Sequence, residues 1–171
     1  MITLVLGGAR SGKSAVAEAL AARGGAPVTY IATMDPSGDP ELQARVDAHR
    51  QRRDASWATV DATDDLAGTL ALVQGTALVD SLGPWVARIG GGAGLIEARA
   101  AALCEVLAKR EGDTVVVSDE VGLAVHPSSA EGRSFRDALG ALNHAVSAVA
   151  DRAFVVVAGR ALELPPPGPP A

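Results

Sequence analysis

An eight-residue stretch near the start of the chain has the residue types and spacing of a phosphate-binding loop. It reads Gly7-Gly8-Ala9-Arg10-Ser11-Gly12-Lys13-Ser14 and fits G-x-x-x-x-G-K-[ST] at every position. In such a loop, backbone N–H groups surround phosphate oxygens, the lysine reaches the β- and γ-phosphates, and the serine hydroxyl can ligate Mg²⁺. The pattern predicts that the chain binds a nucleoside triphosphate. A glycine turn that binds nothing is the alternative.

Carboxylates follow two further apolar runs, at the predicted ends of strands. Asp80 follows one run, and Asp119 and Glu120 follow another. In P-loop proteins, a carboxylate at such a strand end commonly holds Mg²⁺. We therefore take Asp80, with Ser14, as a candidate metal ligand, and a helix cap as the alternative role of Asp80. Glu120 is a candidate catalytic base or partner of a metal ligand, whereas Asp119 could equally be solvated.

One histidine lies among arginines. His49 is followed by Arg50, Arg52 and Arg53 in a segment with a helical pattern. A neutral imidazole nitrogen can attack phosphorus near pH 7, and arginines can neutralise the charge that develops. The alternative is a solvated basic helix face with an incidental histidine, which composition by itself favours.

The elements that would position these residues alternate between strands and helices. Strands are predicted at about residues 2–6, 28–32, 57–60, 76–80, 114–118 and 153–158, and helices at about 13–23, 41–53, 63–73, 95–110 and 132–151. Such alternation predicts an α/β fold, here a RecA-like P-loop NTPase domain with a mostly parallel sheet and helices on both faces. We expect one domain over residues 1–160 and a proline-rich, disordered tail over 161–171.

Composition narrows the class of protein. The chain has 171 residues, of which 48% are hydrophobic and 3% aromatic, so one domain with an aliphatic core is expected. The net charge of −5 argues against nucleic-acid binding, and no apolar run is long enough for membrane insertion. The single cysteine, Cys104, fits a reducing compartment. We expect a cytoplasmic protein.

Several segments together resemble the bifunctional adenosylcobinamide kinase / adenosylcobinamide-phosphate guanylyltransferase family. A P-loop is shared by many families, so three other runs make the resemblance specific. These are the H-R-x-R-R run from His49, the D-E-V-G run from Asp119 and the R-x-F-R-D run from Arg133. With Tyr30-Ile31-Ala32-Thr33 and Leu78-Val79-Asp80-Ser81-Leu82, the resemblance covers nearly the whole chain up to the tail, in order and with similar spacing.

The resemblance implies a two-step enzyme of cobalamin assembly. Such an enzyme phosphorylates the aminopropanol hydroxyl of adenosylcobinamide with ATP or GTP and Mg²⁺. It then transfers GMP from GTP to that phosphate through a GMP-histidine, which implies that His49 is the nucleophile. Lys13 and Glu120 would assist catalysis, and the family is a homotrimer with nucleotide sites near subunit boundaries.

The resemblance also implies a guanine-nucleotide site. Its residues would be Gly7, Gly8, Ala9, Arg10, Ser11, Gly12, Lys13, Ser14, Ala32, Thr33, Met34, Arg50, Gln51, Arg52, Arg53, Asp61 and Asp80. The chain departs from the family pattern where Asp61 replaces a usual Glu, Ser81 a frequent Cys and His144 a frequent Gln.

Two other functions fit the P-loop. A single-function small-molecule kinase would keep the phosphate chemistry and form no covalent nucleotide adduct. A nucleotide-dependent switch or assembly protein would hydrolyse nucleotide slowly and have no small acceptor, and the chain lacks the guanine-reading sequence N-K-x-D.

Overall fold

The protein is built around a twisted sheet with the order β3-β2-β4-β5-β1-β6-β7. The computed structural model describes residues 1–36, 38–62, 64–90, 93–166 and 168, and of Arg45, Arg52 and Ala93 it describes the backbone alone. In these residues the strands are β1 (Ile2–Gly7), β2 (Val28–Ala32), β3 (Ala58–Asp61), β4 (Thr76–Asp80), β5 (Thr114–Asp119), β6 (Arg152–Val157) and β7 (Arg160–Leu164). The strand pairs are parallel apart from β6 with β7.

Helices connect the parallel strands, as parallel pairing requires. They are α1 (Lys13–Ala21), α2 (Pro40–Arg52), α3 (Leu66–Ala71), α4 (Leu82–Ile89), α5 (Ala93–Lys109) and α6 (Ala130–Val149). Among the described residues, no helix is both long and apolar enough to cross a membrane.

Successive residues of each strand face opposite sides of the sheet, and the core is accordingly divided in two. Leu4 and Ile31 lie in a cluster that α3, α4, α5 and α6 complete. Their neighbours Val5 and Tyr30 lie in a second cluster, which α1 completes. The helices therefore cover both faces, as the alternation of strands and helices predicted.

Helix α2 is the exception, because none of its described side chains joins either buried cluster. Its N-terminus is capped by Asp39, whose Oδ1 accepts hydrogen bonds from the N–H groups of Glu41 (2.9 Å) and Leu42 (3.1 Å). This helix carries His49. Its position therefore depends on polar contacts at its ends more than on hydrophobic burial.

The structure confirms the predicted α/β class with a mostly parallel sheet, and it adds one strand and one helix that the sequence did not predict. Residues 160–164 form β7, so the sheet continues four residues into the segment 161–171 that we assigned to the tail. Strand β7 pairs with β6, and the side chains of Arg152 and Glu163 join the two strands at 2.6 Å. The apolar segment after Asp80, to which the sequence assigned no element, is α4. Outside the described residues lie the predicted cap residue Thr63, the loop residues 91–92, and residues 167 and 169–171 of the proline-rich tail.

Candidate functional site

The predicted phosphate-binding loop joins β1 to α1 and leaves the first turn of α1 open. The helix begins at Lys13, and no side chain caps its N-terminus. Gly12 has a φ of 93°, and an added Cβ there would lie 3.2 Å from the Cα of Gly159. The Lys13 N–H donates to Oγ of Ser11 at 3.3 Å. The positive end of the helix dipole lies at this N-terminus, an arrangement suited to an anion such as phosphate.

Lys13 is held by a carboxylate at the end of β5. Its Nζ lies 2.7 Å from Oδ1 of Asp119 and donates to the carbonyl oxygen of Gly8 at 3.3 Å. Strand β5 is the immediate neighbour of β1, which brings Asp119 beside the loop. Gly83 of α4 leaves room for this carboxylate, because a Cβ at Gly83 would collide with Oδ2 of Asp119. Asp119, which the sequence left undecided between site and solvent, is thus part of the site.

Asp80, at the end of β4, lies between the loop and His49. Its Oδ1 accepts a long hydrogen bond from the Ser14 hydroxyl at 3.4 Å, and its Oδ2 accepts one from the Tyr30 hydroxyl at 3.0 Å. The Nδ1 of His49 lies 3.8 Å from the same Oδ2. The Asp80 side chain is 9% exposed. The sequence did not indicate that one carboxylate would face both the loop and the histidine.

The donors at Ser14 and Asp80 fit a magnesium ion. Mg²⁺ prefers oxygen ligands and in nucleotide sites usually takes one or two from the protein, with the rest from phosphate and water. Within the described part of the chain, no group of three or more His, Cys, Asp or Glu side chains could hold a metal ion. Ser14 and Asp80 are therefore the residues that could hold a magnesium ion bound to a triphosphate.

Arg53 joins His49 to the neighbouring strands. Its Nε donates to the backbone carbonyl of His49 at 3.2 Å, and one terminal nitrogen donates to Oγ1 of Thr59 at 3.3 Å. Its guanidinium lies 3.6 Å from the centre of the Tyr30 ring, a cation–π contact. Burial, and next the Asp80 carboxylate, raise the pKa of Tyr30, so the Tyr30 hydroxyl keeps its proton.

These side chains line one cavity of about 420 Å³. Of the residues predicted to act in catalysis or nucleotide binding, those that line it are Lys13, Ser14, Ala32, Met34, His49, Arg50, Arg53, Asp61 and Asp80. Residues that line it and that were not among the predicted site residues include Tyr30, Val46, Ser81, Pro84 and Arg88, together with Asp119, whose role the sequence left undecided. Charged side chains of both signs make up much of this lining, beside a few apolar ones such as Val46 and Pro84, and such a lining suits an ionic ligand.

A family model described as cobinamide kinase / cobinamide phosphate guanyltransferase matches residues 3–164. The chain belongs to this family. It is 39% identical to the bifunctional adenosylcobalamin biosynthesis protein CobP of Pseudomonas aeruginosa, over 99% of each chain. It is 35% identical to the bifunctional adenosylcobalamin biosynthesis protein CobU of Salmonella typhimurium, over 93% of this chain and 97% of that protein.

A solved structure has a fold similar to that of this member of the cobinamide kinase / guanyltransferase family. The flagellar accessory protein FlaH of Methanocaldococcus jannaschii matches with a TM-score of 0.51 over 94% of this chain and 74% of that chain. The two are 12% identical, so the likeness shows the fold alone. It agrees with the predicted RecA-like P-loop architecture.

Nine of the predicted site residues that the structure describes do not line this cavity: Gly7, Gly8, Ala9, Arg10, Ser11 and Gly12 of the phosphate-binding loop, and Thr33, Gln51 and Glu120. Glu120 is absent from the lining, and its Oε1 accepts a hydrogen bond from the N–H of Gly122 at 2.7 Å. Thr33 is buried, and its Oγ1 both donates to the carbonyl oxygen of Ser81 at 2.6 Å and accepts from its N–H at 2.9 Å. Gln51 is exposed and lines no wall of this cavity. The side chain of Arg52 lies outside the described residues.

Proposed function

We propose that this chain catalyses the two reactions of its family at a single nucleotide site. It phosphorylates the side-chain hydroxyl of adenosylcobinamide with ATP or GTP, and it then transfers GMP from GTP to that phosphate. The observation that carries the proposal is the shared cavity: Lys13 and Ser14 of the phosphate-binding loop and His49 of α2 line the same walls. Asp80 lies between them.

In the first reaction, the loop holds the triphosphate, and Lys13 leaves Asp119 to bind the β- and γ-phosphates. A magnesium ion held by Ser14 and Asp80 would neutralise phosphate charge. The substrate hydroxyl forms a bond to the γ-phosphorus as the bond from that phosphorus to the β,γ-bridging oxygen breaks. Asp119 lines the cavity, where Glu120 does not, and is therefore better placed than Glu120 to accept the hydroxyl proton.

In the second reaction, a ring nitrogen of His49 attacks the α-phosphorus of GTP. The N–P bond forms as the bond to the α,β-bridging oxygen breaks, and pyrophosphate leaves. A phosphate oxygen of the phosphorylated substrate then attacks the same phosphorus and releases His49. Arg50 and Arg53, which line the cavity, would stabilise the negative charge on the phosphoryl oxygens in both steps.

The test is covalent labelling with GTP carrying a radioactive α-phosphate, in the presence of Mg²⁺ and without acceptor. We expect acid-labile, base-stable label on the denatured wild-type protein and none on His49→Ala. His144→Ala is a matched control, because His144 is exposed on α6 and should label as wild type does. A single-function kinase would give no label at all. Equal labelling of wild type and His49→Ala would exclude His49 as the nucleophile.

We also propose that the protein acts in the cytoplasm as a homotrimer. The resemblance to the family supports this arrangement. So do large aliphatic side chains that stay exposed on a single chain, among them Leu72 (85%), Leu123 (89%) and Val125 (92%). Apolar surface of this kind is often covered by a partner.

A further inference from the structure

We propose that Tyr30 is a positioning residue for the guanylyl-transfer reaction. It holds both Asp80 and Arg53 against His49, so that the histidine presents one ring nitrogen to the nucleotide. Tyr30, Asp80 and Arg53 together orient His49. The inference rests on the proposed function, because it concerns the step in which His49 attacks GTP.

The first contact of Tyr30 runs through its hydroxyl. The hydroxyl donates to Oδ2 of Asp80 at 3.0 Å, and this is the oxygen that lies 3.8 Å from Nδ1 of His49. The other oxygen, Oδ1, faces Ser14. The carboxylate of Asp80 can rotate about its Cβ–Cγ bond, and the hydrogen bond from the Tyr30 hydroxyl opposes that rotation. It therefore keeps Oδ2 toward the histidine, while the Ser14 hydroxyl contacts Oδ1 independently at 3.4 Å.

The orientation of Asp80 matters for the chemistry of the imidazole. A carboxylate beside Nδ1 favours the tautomer with its proton on Nδ1, which leaves the lone pair on Nε2 for attack on phosphorus. When the N–P bond forms, the ring gains positive charge, and the same carboxylate stabilises it. At 3.8 Å the two atoms interact through charge, without a full hydrogen bond.

The second contact of Tyr30 runs through its ring. The Arg53 guanidinium stacks 3.6 Å from the ring centre and donates to the backbone carbonyl of His49 at 3.2 Å. Tyr30 thus reaches His49 twice, at the side chain through Asp80 and at the backbone through Arg53. Because α2 contributes no described side chain to the buried clusters, this second contact helps to fix the end of the helix that carries the histidine.

The rest of the fold gives Tyr30 little freedom to move. It is 5% exposed, and β2 pairs with both β3 and β4. A phenylalanine would fill the same apolar cluster, so packing alone does not require the hydroxyl. The hydroxyl has its hydrogen-bond partner in Asp80. Because the ring packs in the core and only the hydroxyl bonds Asp80, a Tyr30→Phe variant removes the hydrogen bond and keeps the packing.

The test compares Tyr30→Phe with wild type in two assays. The first is the single-turnover rate of covalent GMP loading from GTP alone. The second is phosphorylation of adenosylcobinamide by GTP in the His49→Ala background, where GMP transfer is blocked. We expect Tyr30→Phe to lower the loading rate by about 10- to 100-fold, as loss of an orienting partner commonly does, and the phosphorylation rate by less than about threefold.

A purely structural role predicts a different result, in which both rates fall together and the melting temperature drops. That result, or an unchanged loading rate, would overturn the inference. Tyr30→Leu should load more slowly than Tyr30→Phe, because Arg53 loses its aromatic face as well. Thr69→Val is the control: it removes one hydroxyl hydrogen bond in α3, to the carbonyl of Asp65, outside the cavity. If wild type itself takes no label, the proposed function fails instead, so the two failures are distinct.

Discussion

At the scale of single residues, the site is defined by carboxylates that hold other groups in place. Asp119 holds Lys13 at 2.7 Å, and Asp80 faces Ser14, Tyr30 and His49. A lysine paired with a carboxylate is already ordered and largely stripped of water. It can therefore exchange one anionic partner for another, the phosphates, at little cost in side-chain entropy.

The first prediction concerns Lys13. Lys13→Met keeps a similar unbranched chain and removes the charge, so both phosphorylation and GMP loading should fall. We expect a loss of about 10²- to 10³-fold in kcat for each, the usual effect of losing one donor that stabilises transition-state charge. Lys109→Met is the control, because Lys109 is exposed and pairs with Glu105 on α5. Either reaction remaining within tenfold of wild type would show that Lys13 does not stabilise the β- and γ-phosphates in that reaction.

At the scale of elements, α2 and β7 show how local chemistry can replace hydrophobic burial. Helix α2 is capped by Asp39 at one end and joined to β2 and β3 through Arg53 at the other. Strand β7 is largely exposed and is held by its ladder with β6 and by the Arg152–Glu163 pair. Both elements lack an apolar face that points to the core, which is the feature that makes an element easy to recognise in a sequence.

The second prediction concerns the cap of α2. Asp39→Ala removes the acceptor for the N–H groups of Glu41 and Leu42, and loss of such a cap typically costs about 1 kcal/mol. We expect faster amide hydrogen exchange in the first turn of α2, measured by mass spectrometry, and slower GMP loading, because His49 lies on this helix. Asp39→Asn keeps a capping oxygen and should behave nearly as wild type. An asparagine variant that exchanges as fast as the alanine variant would show that the cap does not stabilise the helix.

At the scale of the whole molecule, the sheet order brings the site together from distant parts of the chain. Strand β1 lies beside β5, and β5 beside β4, which lies beside β2. The C-terminal ends of these parallel strands meet at one edge, which is where open α/β sheets bind their ligands. Among the described residues, the lining of the cavity comes from a single chain. The exposed aliphatic side chains lie outside that lining.

The third prediction concerns assembly. Light scattering coupled to size-exclusion chromatography should give three times the mass of one chain at micromolar concentration. Because assembly by mass action favours the folded state, the melting temperature should also rise with protein concentration. A mass equal to one chain, with a melting temperature independent of concentration, would contradict the proposed homotrimer.

Much of this architecture was predictable from the sequence, and the exceptions have identifiable causes. The helix in residues 82–89 was missed because Gly83 and Pro84, residues that usually indicate a turn, lie in its first turn. The role of Asp119 was left open because a carboxylate at a strand end looks the same whether it faces solvent or a lysine. Glu120 was predicted to be catalytic from its position one residue later. Its carboxylate lies outside the cavity lining and accepts a hydrogen bond from the N–H of Gly122, and a catalytic role for Glu120 stays a prediction.

The sequence by itself determined the class of the protein, since the phosphate-binding loop, the alternation of strands and helices and the three specific runs are local patterns. Their physics acts within a few residues, so they can be read along the chain. The tertiary structure decided which groups meet. Ser14, Tyr30, His49 and Asp80 come from four different elements, and their contacts depend on strand order and on the direction of each side chain. No spacing along the chain encodes that Tyr30 reaches His49 through both Asp80 and Arg53, because those contacts exist only once the sheet has formed.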